Sequence, residues 1–195
     1  MRIFIAVIIL IFSLQSWTKA DDISEFEIEG MSVGDSLLDH ISENEINESF
    51  KSASYYKNKV FAEIILKKKL SEYDFLQVAL QPNDDKFIIH SISLYKDYPN
   101  QIDKCLIEKE KVIKDSIDIL SKAQREDENA KFLGDKSGNS FFYISSFYLS
   151  SGGFFNIKCE DYGEEVFKSS GWIDALSLSI GSEKFKKFLH SDDPY

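Results

Sequence analysis

The chain is poor in cysteine, proline, methionine and arginine. Its 195 residues hold 2 cysteines, 3 prolines and 2 methionines, and only two of the 23 basic residues, Arg2 and Arg125, are arginine. The prolines, at 82, 99 and 194, leave no Pro-rich linker, and no repeat or low-complexity tract divides the chain. One domain with a real core follows. Two cysteines and 3 histidines make no Cys/His cluster of the kind that holds zinc. No G-x-S-x-G, H-E-x-x-H, G-x-G-x-x-G or Walker loop occurs. The sequence therefore assigns no catalytic residue, no metal and no cofactor.

What is plentiful is acid. With 33 acidic residues against 23 basic ones, the formal charge is −10. That field repels phosphate backbones and anionic membrane surfaces, which excludes nucleic acid as a natural partner. A solvated surface accounts for the charge without any function. The scarcity of arginine beside frequent Ile, Asn, Phe, Tyr and Lys reads as the bias of an AT-rich genome and suggests a bacterium.

Residues 1–20 have the layout of a secretory signal peptide. Arg2 supplies a positive charge, Ile3 to Phe12 is an unbroken apolar run, and Thr18-Lys19-Ala20 puts small residues where a signal peptidase reads. A retained anchor is the alternative, but the run is too short to cross a bilayer core. Cleavage after Ala20 leaves residues 21–195 as one domain, with no membrane span and a charge of −12, because Arg2 and Lys19 are lost and no acid is. The implied location is periplasmic or secreted.

Periodicity predicts an α+β fold in the order β-α-α-βββ-α-βββ-α. It is a mostly antiparallel sheet of about six strands, with helices packed mainly on one face. A short strand covers Asp22 to Glu29. A helix begins in "GMSVGDSLLDHI", capped by Ser32. A second has a Ser42–Glu45 capping box with Ile41 and Ile46 as a staple. Three strands follow, Tyr55 to Leu66, Tyr73 to Leu80 and Phe87 to Tyr95, in a meander with "QPNDDK" as a turn. The longest helix runs from Pro99-Asn100 to about Ala123, with Ile102, Leu106, Ile113, Ile117 and Leu120 as its apolar stripe. Gln124 to Ser140 is a hydrophilic connection. Strands at Phe141–Leu149, Phe154–Cys159 and Ile173–Ile180 complete the sheet, and Ser182 caps a last helix carrying Phe185, Phe188 and Leu189. Whether the two meanders form one sheet or two is left open.

Cys105 on the long helix and Cys159 at the end of "FFNIKC" both fall where helix meets sheet. In an oxidising compartment they should form a disulfide. Closing a loop of about 55 residues would be worth roughly 4 kcal/mol on the chain-entropy model. Two buried free thiols are the alternative.

His90 shares a face with Ile92 and Leu94 and reads as a hydrogen-bonded core residue. His40 reads as a cap or surface group, and His190 lies in the tail. "EDYGEE" at 160–165 and "NDD" at 83–85 read as solvated acidic loops, since neither has calcium-loop spacing.

Alternation sends a second set of residues away from the long helix. It comprises Phe61, Phe75, Phe87, Phe141, Tyr143, Phe147 and Phe154, interleaved with Glu63, Gln77, Ser91, Ser145, Asn156 and Lys158. So many rings are rare on a solvated sheet face. Either other helices cover them, or they form a binding face for a protein segment or an apolar ligand.

Gly30, Met31, Ser32 and Leu37 in "FEIEGMSVGDSLLDHI" resemble the start of small bacterial envelope proteins of the BamE/SmpA type. That resemblance covers about 16 residues and implies a strand leading into a helix pair and then a meander. That family's Gly-Pro motif and lipid-modified cysteine are missing here. As a whole, the chain looks like the exported proteins of AT-rich Gram-negative bacteria. The expected function is a non-catalytic binding or envelope-interaction domain. A small hydrolase is the alternative, and it would need a pocket holding His90 beside a carboxylate or hydroxyl.

Overall fold

A computed structural model describes residues 22–191; the predicted signal peptide lies outside the described residues. The fold is α+β, with four α-helices and one large antiparallel sheet of eight strands, not about six, plus a two-stranded hairpin.

The chain opens with a 3-10 turn at Ile23–Glu25 and the hairpin β1 (Glu27–Ile28) and β2 (Met31–Ser32). Glu29 and Gly30 both have positive φ, 54° and 82°, as a tight two-residue hairpin turn requires. The helix expected from Ser32 does not form. Gly34, at φ 101°, takes a left-handed conformation that breaks it. Only a 3-10 turn remains, Leu37–Asp39, capped by Ser36. Ser32 instead donates its hydroxyl to the Phe26 carbonyl at 2.9 Å. The residues resembling the BamE/SmpA start thus lie in a hairpin and a 3-10 turn. Helix α1 (Glu43–Phe50) keeps the predicted Ser42–Glu45 capping box and buries Ile46.

The first meander has four strands: β3 (Ser54–Tyr55), β4 (Ala62–Leu66), β5 (Phe75–Leu80) and β6 (Ser91–Asp97). A 3-10 turn at Lys57–Lys59 splits the predicted first strand. Residues 87–89 leave the sheet because the N-terminal segment claims their backbone. Leu37 N–H donates to Phe87, Gly34 N–H to Ile89, and Ile89 N–H to Asp35.

Helix α2 (Ile102–Ser116) carries the chain from the sheet centre to its far edge. Its buried side chains are Cys105, Lys109, Val112, Ile113 and Ser116, with Leu120 just beyond, while Ile117 is exposed. The buried stripe is thus turned from the predicted one, onto the side of Cys105. Lys109 Nζ stays solvated by protein: it donates to Ser145 Oγ at 2.7 Å, and that hydroxyl donates to Asp127.

Asp127 belongs to β7 (Gln124–Lys131), the stretch predicted as a connection. An outermost strand needs no apolar side chains, and charges there guard its free edge. The second meander continues through β8 (Phe141–Tyr148), β9 (Phe154–Asp161), helix α3 (Glu164–Ser170), β10 (Ala175–Gly181) and helix α4 (Glu183–Leu189). "EDYGEE" is therefore not a loop. Glu160 and Asp161 end β9, while Glu164 and Glu165 open α3, where carboxylates suit the helix dipole. Gly171, at φ 72°, closes that helix.

The strand order is β3-β4-β5-β6-β10-β9-β8-β7. Because β10 pairs with both β6 and β9, the two meanders form one sheet. The N-terminal segment, α1 and α2 bury one face in the main core. Helix α4 packs on the opposite face through Phe185, against Phe61, Ala79 and Phe154, so the helices do not all lie on one side. The disulfide Cys105–Cys159 is formed, with both residues fully buried and Cα atoms 6.0 Å apart, tying α2 to β9.

Candidate binding site on the open sheet face

Register decides which side chains share the face that α2 does not cover. Cross-strand pairing aligns Gln77, Ser93, Ser179, Asn156 and Ser146 in one strip across five strands. Ser93 and Ser179 join hydroxyls at 2.8 Å. The next strip holds Phe75, Tyr95, Ser177, Lys158 and Ile144, and the one beyond it Asp97, Ala175, Glu160 and Phe142. On the other side of the serine strip the face is roofed by α4 over Phe154 and Tyr148.

Glu63 on β4 pairs with Ala79 and lies on the same side of the sheet as Lys158 and Glu160 of β9. Glu63 itself is half-buried. Its Oε1 accepts from the Tyr56 hydroxyl at 2.7 Å and its Oε2 from the Gln77 amide at 3.1 Å. Burial pushes its carboxyl above the ordinary range. The Tyr56 hydrogen bond and the Lys158 charge oppose that rise, and Glu160 adds to it.

On β9, Lys158 Nζ sits 2.6 Å from Glu160 Oε1 and 4.7 Å from the Phe142 ring centre. Glu160 is buried and its other oxygen accepts from the Tyr162 hydroxyl at 2.6 Å. Burial, then the Glu160 charge, raises the Tyr162 phenol far above its usual range, so it stays a donor. Rings frame the site. Phe75 and Tyr95 stack at 4.5 Å. Phe132, Phe142, Tyr162 and Trp172 cluster at one end of the sheet, with Trp172 half exposed. Two buried polar atoms, Asn156 Oδ1 and Ser177 Oγ, have no hydrogen-bond partner among the described residues. Such atoms are uncommon, because each forfeits its hydration without return.

Glu63→Gln tests the electrostatics. A carboxyl whose folded pKa is raised supports stability below its unfolded pKa and loses that support as pH rises through the folded pKa. Glutamine should therefore leave stability unchanged near pH 4 and increase it at pH 7. Urea midpoints at the two pH values measure this, and an equal change at both would contradict the raised pKa.

The seven aromatic residues predicted to share a face do not. Only Phe75 lies on the open part. Phe61 and Phe154 are on that side but buried under α4. Phe141, Tyr143 and Phe147 point to the α2 face, because Tyr143 pairs with Cys159 and Phe147 with Phe155. Phe87, at φ 48°, sits in a loop and packs into the main core. The interleaved polar residues did better: Glu63, Gln77, Asn156 and Lys158 all lie on that side, Ser91 lies there too but buried in the strip of Phe154, and Ser145 faces α2. The sequence gives no signal for Glu160, Tyr162 or Tyr95 as their neighbours, since they meet only through strand order.

His90 is buried, edge-on to Phe61 at 5.1 Å, with its Nδ1 3.3 Å from Ser182 Oγ. That hydroxyl already accepts from Phe185 N–H as the cap of α4. Burial lowers the His90 pKa, with Lys184 adding to the effect. His40 stands 3.7 Å from Asp35, and His190 is exposed at the end of α4. Asp84 of "NDD" is spent on the N–H groups of Lys86 and Ile88. Two cavities lie elsewhere. One is small and apolar between the N-terminal hairpin and α2, and the other is a cleft at Lys59, Gln81 and Asp84. Neither is lined by His90 or Glu63. The described residues contain no group of His, Cys, Asp and Glu that could hold a metal ion, and no helix long and apolar enough to cross a membrane. No protein-family model matches the chain, and the searches of curated proteins and of solved structures likewise found no match.

Proposed function

We propose that this protein is an exported, non-catalytic binding domain of the periplasm or cell envelope, and that its partner or ligand docks on the open face of the sheet. The observation that carries this reading is the part of that face that α4 does not roof among the described residues. It keeps a desolvated carboxylate, a lysine–glutamate pair, stacked rings and two buried polar atoms without partners among those residues, where a domain needing only a solvated surface would place none of them. Export is supported by the signal-like residues 1–20 and by a buried disulfide, which persists in oxidising compartments. A hydrolase has less support, because His90 and Ser182 are held in packing and capping roles outside the two cavities described. Native mass spectrometry of protein taken from its host tests the proposal. A bound species that is lost in Glu63→Gln is expected. A bare mass, together with two alkylatable thiols, would sink both the binding role and the export.

A further inference from the structure

We propose that the open face recognises a cationic extended segment of a partner protein, with an arginine or lysine head group docking on the Glu63 carboxylate. This rests on the binding role of that face and adds the chemistry of what it takes.

The Glu63 carboxylate has spare acceptor capacity. Among the described residues each of its oxygens receives one bond, from Tyr56 or Gln77, and has capacity for another. A ligand that completes it must bring N–H or O–H groups. The charges point the same way. Glu63, Glu160 and Asp97 face this side against Lys158, which Glu160 already holds at 2.6 Å. Around them lies a chain of formal charge −10, which draws cations in and repels anions. The stacked Phe75–Tyr95 pair adds aromatic surface of the kind that attracts a guanidinium or ammonium group.

The layout suits a segment. The serine strip runs in register across five strands, from Gln77 to Ser146. An extended chain can lay one side chain after another along such a strip. Burying the Glu63 carboxylate against a cation also offsets the desolvation that the free protein carries there.

Fluorescence anisotropy tests this with a labelled peptide of alternating arginine and serine and a control peptide of alternating glutamate and serine. The arginine peptide should bind, with affinity falling as salt is added. Glu63→Gln, which keeps the shape and both neighbours, should weaken it about tenfold, and Gln77→Lys should weaken it further. Thermal unfolding of both variants establishes that they remain folded. In the wild-type protein the peptide should shift the carbon-13 titration of the Glu63 carboxyl to lower pH, which a merely structural role would not do. Equal binding of the two peptides, or binding unchanged in both variants, would overturn the cationic assignment. So would spermidine displacing the peptide at equal concentration, since a small polyamine would then suffice. If the host protein carries an uncharged ligand lost in Glu63→Gln while the peptide fails to bind, the ligand class falls and the binding face stands.

Discussion

Replacing both Cys105 and Cys159 by alanine is expected to destabilise the protein by about 4 kcal/mol. The bond spans 54 positions, so its removal restores considerable freedom to the unfolded chain. Both residues are fully buried, and the loss also leaves two small voids between α2 and β9. Against a domain stability of about 5–15 kcal/mol the effect is large. Helix α2 should suffer first. It is the crossover that carries the chain from the centre of the sheet to its edge, held to the second meander by this bond, by the apolar packing of Val112, Ile113 and Leu120, and by Lys109 reaching Ser145, which bonds Asp127. Equilibrium urea unfolding reads the change as a lower midpoint, and wild-type protein under reductant should approach the variant. A midpoint that stays put in both would mean that the bond contributes no stability.

Phe61→Ala should cost about 3–5 kcal/mol, the range for emptying a buried phenylalanine site. Phe61 is 1% exposed and touches three other rings: His90 at 5.1 Å, Phe185 at 5.1 Å and Phe188 at 4.9 Å. It is the base on which α4 sits. A helix of seven residues has little stability of its own. Losing that base should release α4 and increase amide exchange at residues 183–189 well before the sheet exchanges. The contrast with Glu63→Gln is informative. Phe61, just before β4, and Glu63 within it stand two positions apart on the same side of the sheet, yet one change should remove structure and the other only electrostatics. Binding reduced by Phe61→Ala with unchanged stability would place this ring in the site, against the packing described here.

Those two residues show why the open face was only partly legible. Alternation correctly sent Phe61 and Glu63 the same way. It could not say that α4, from the far end of the chain, would bury the first and leave the second half-buried. Phe141, Tyr143 and Phe147 went to the wrong side for a related reason. Within one strand the pattern fixes which residues share a face but not which face that is, and β8 is aromatic on both. The pairing of Tyr143 with Cys159 settles it. β7 escaped for the opposite reason: an edge strand of charged residues carries no apolar alternation at all.

By itself the sequence determined the local and the covalent. The Ser42–Glu45 and Ser182 caps, the strand alternation of β10 and the pairing of the only two cysteines follow from residue types at short spacing, because their physics acts over a few neighbours or has one possible partner. Tertiary structure alone decided the merging of two meanders into one sheet, the helix that roofs part of its second face, and the placing of Glu63, Lys158 and Glu160 on that same face. These depend on strand order and on where helices dock, which are set by how whole elements share a core and leave no mark in the spacing of any one segment.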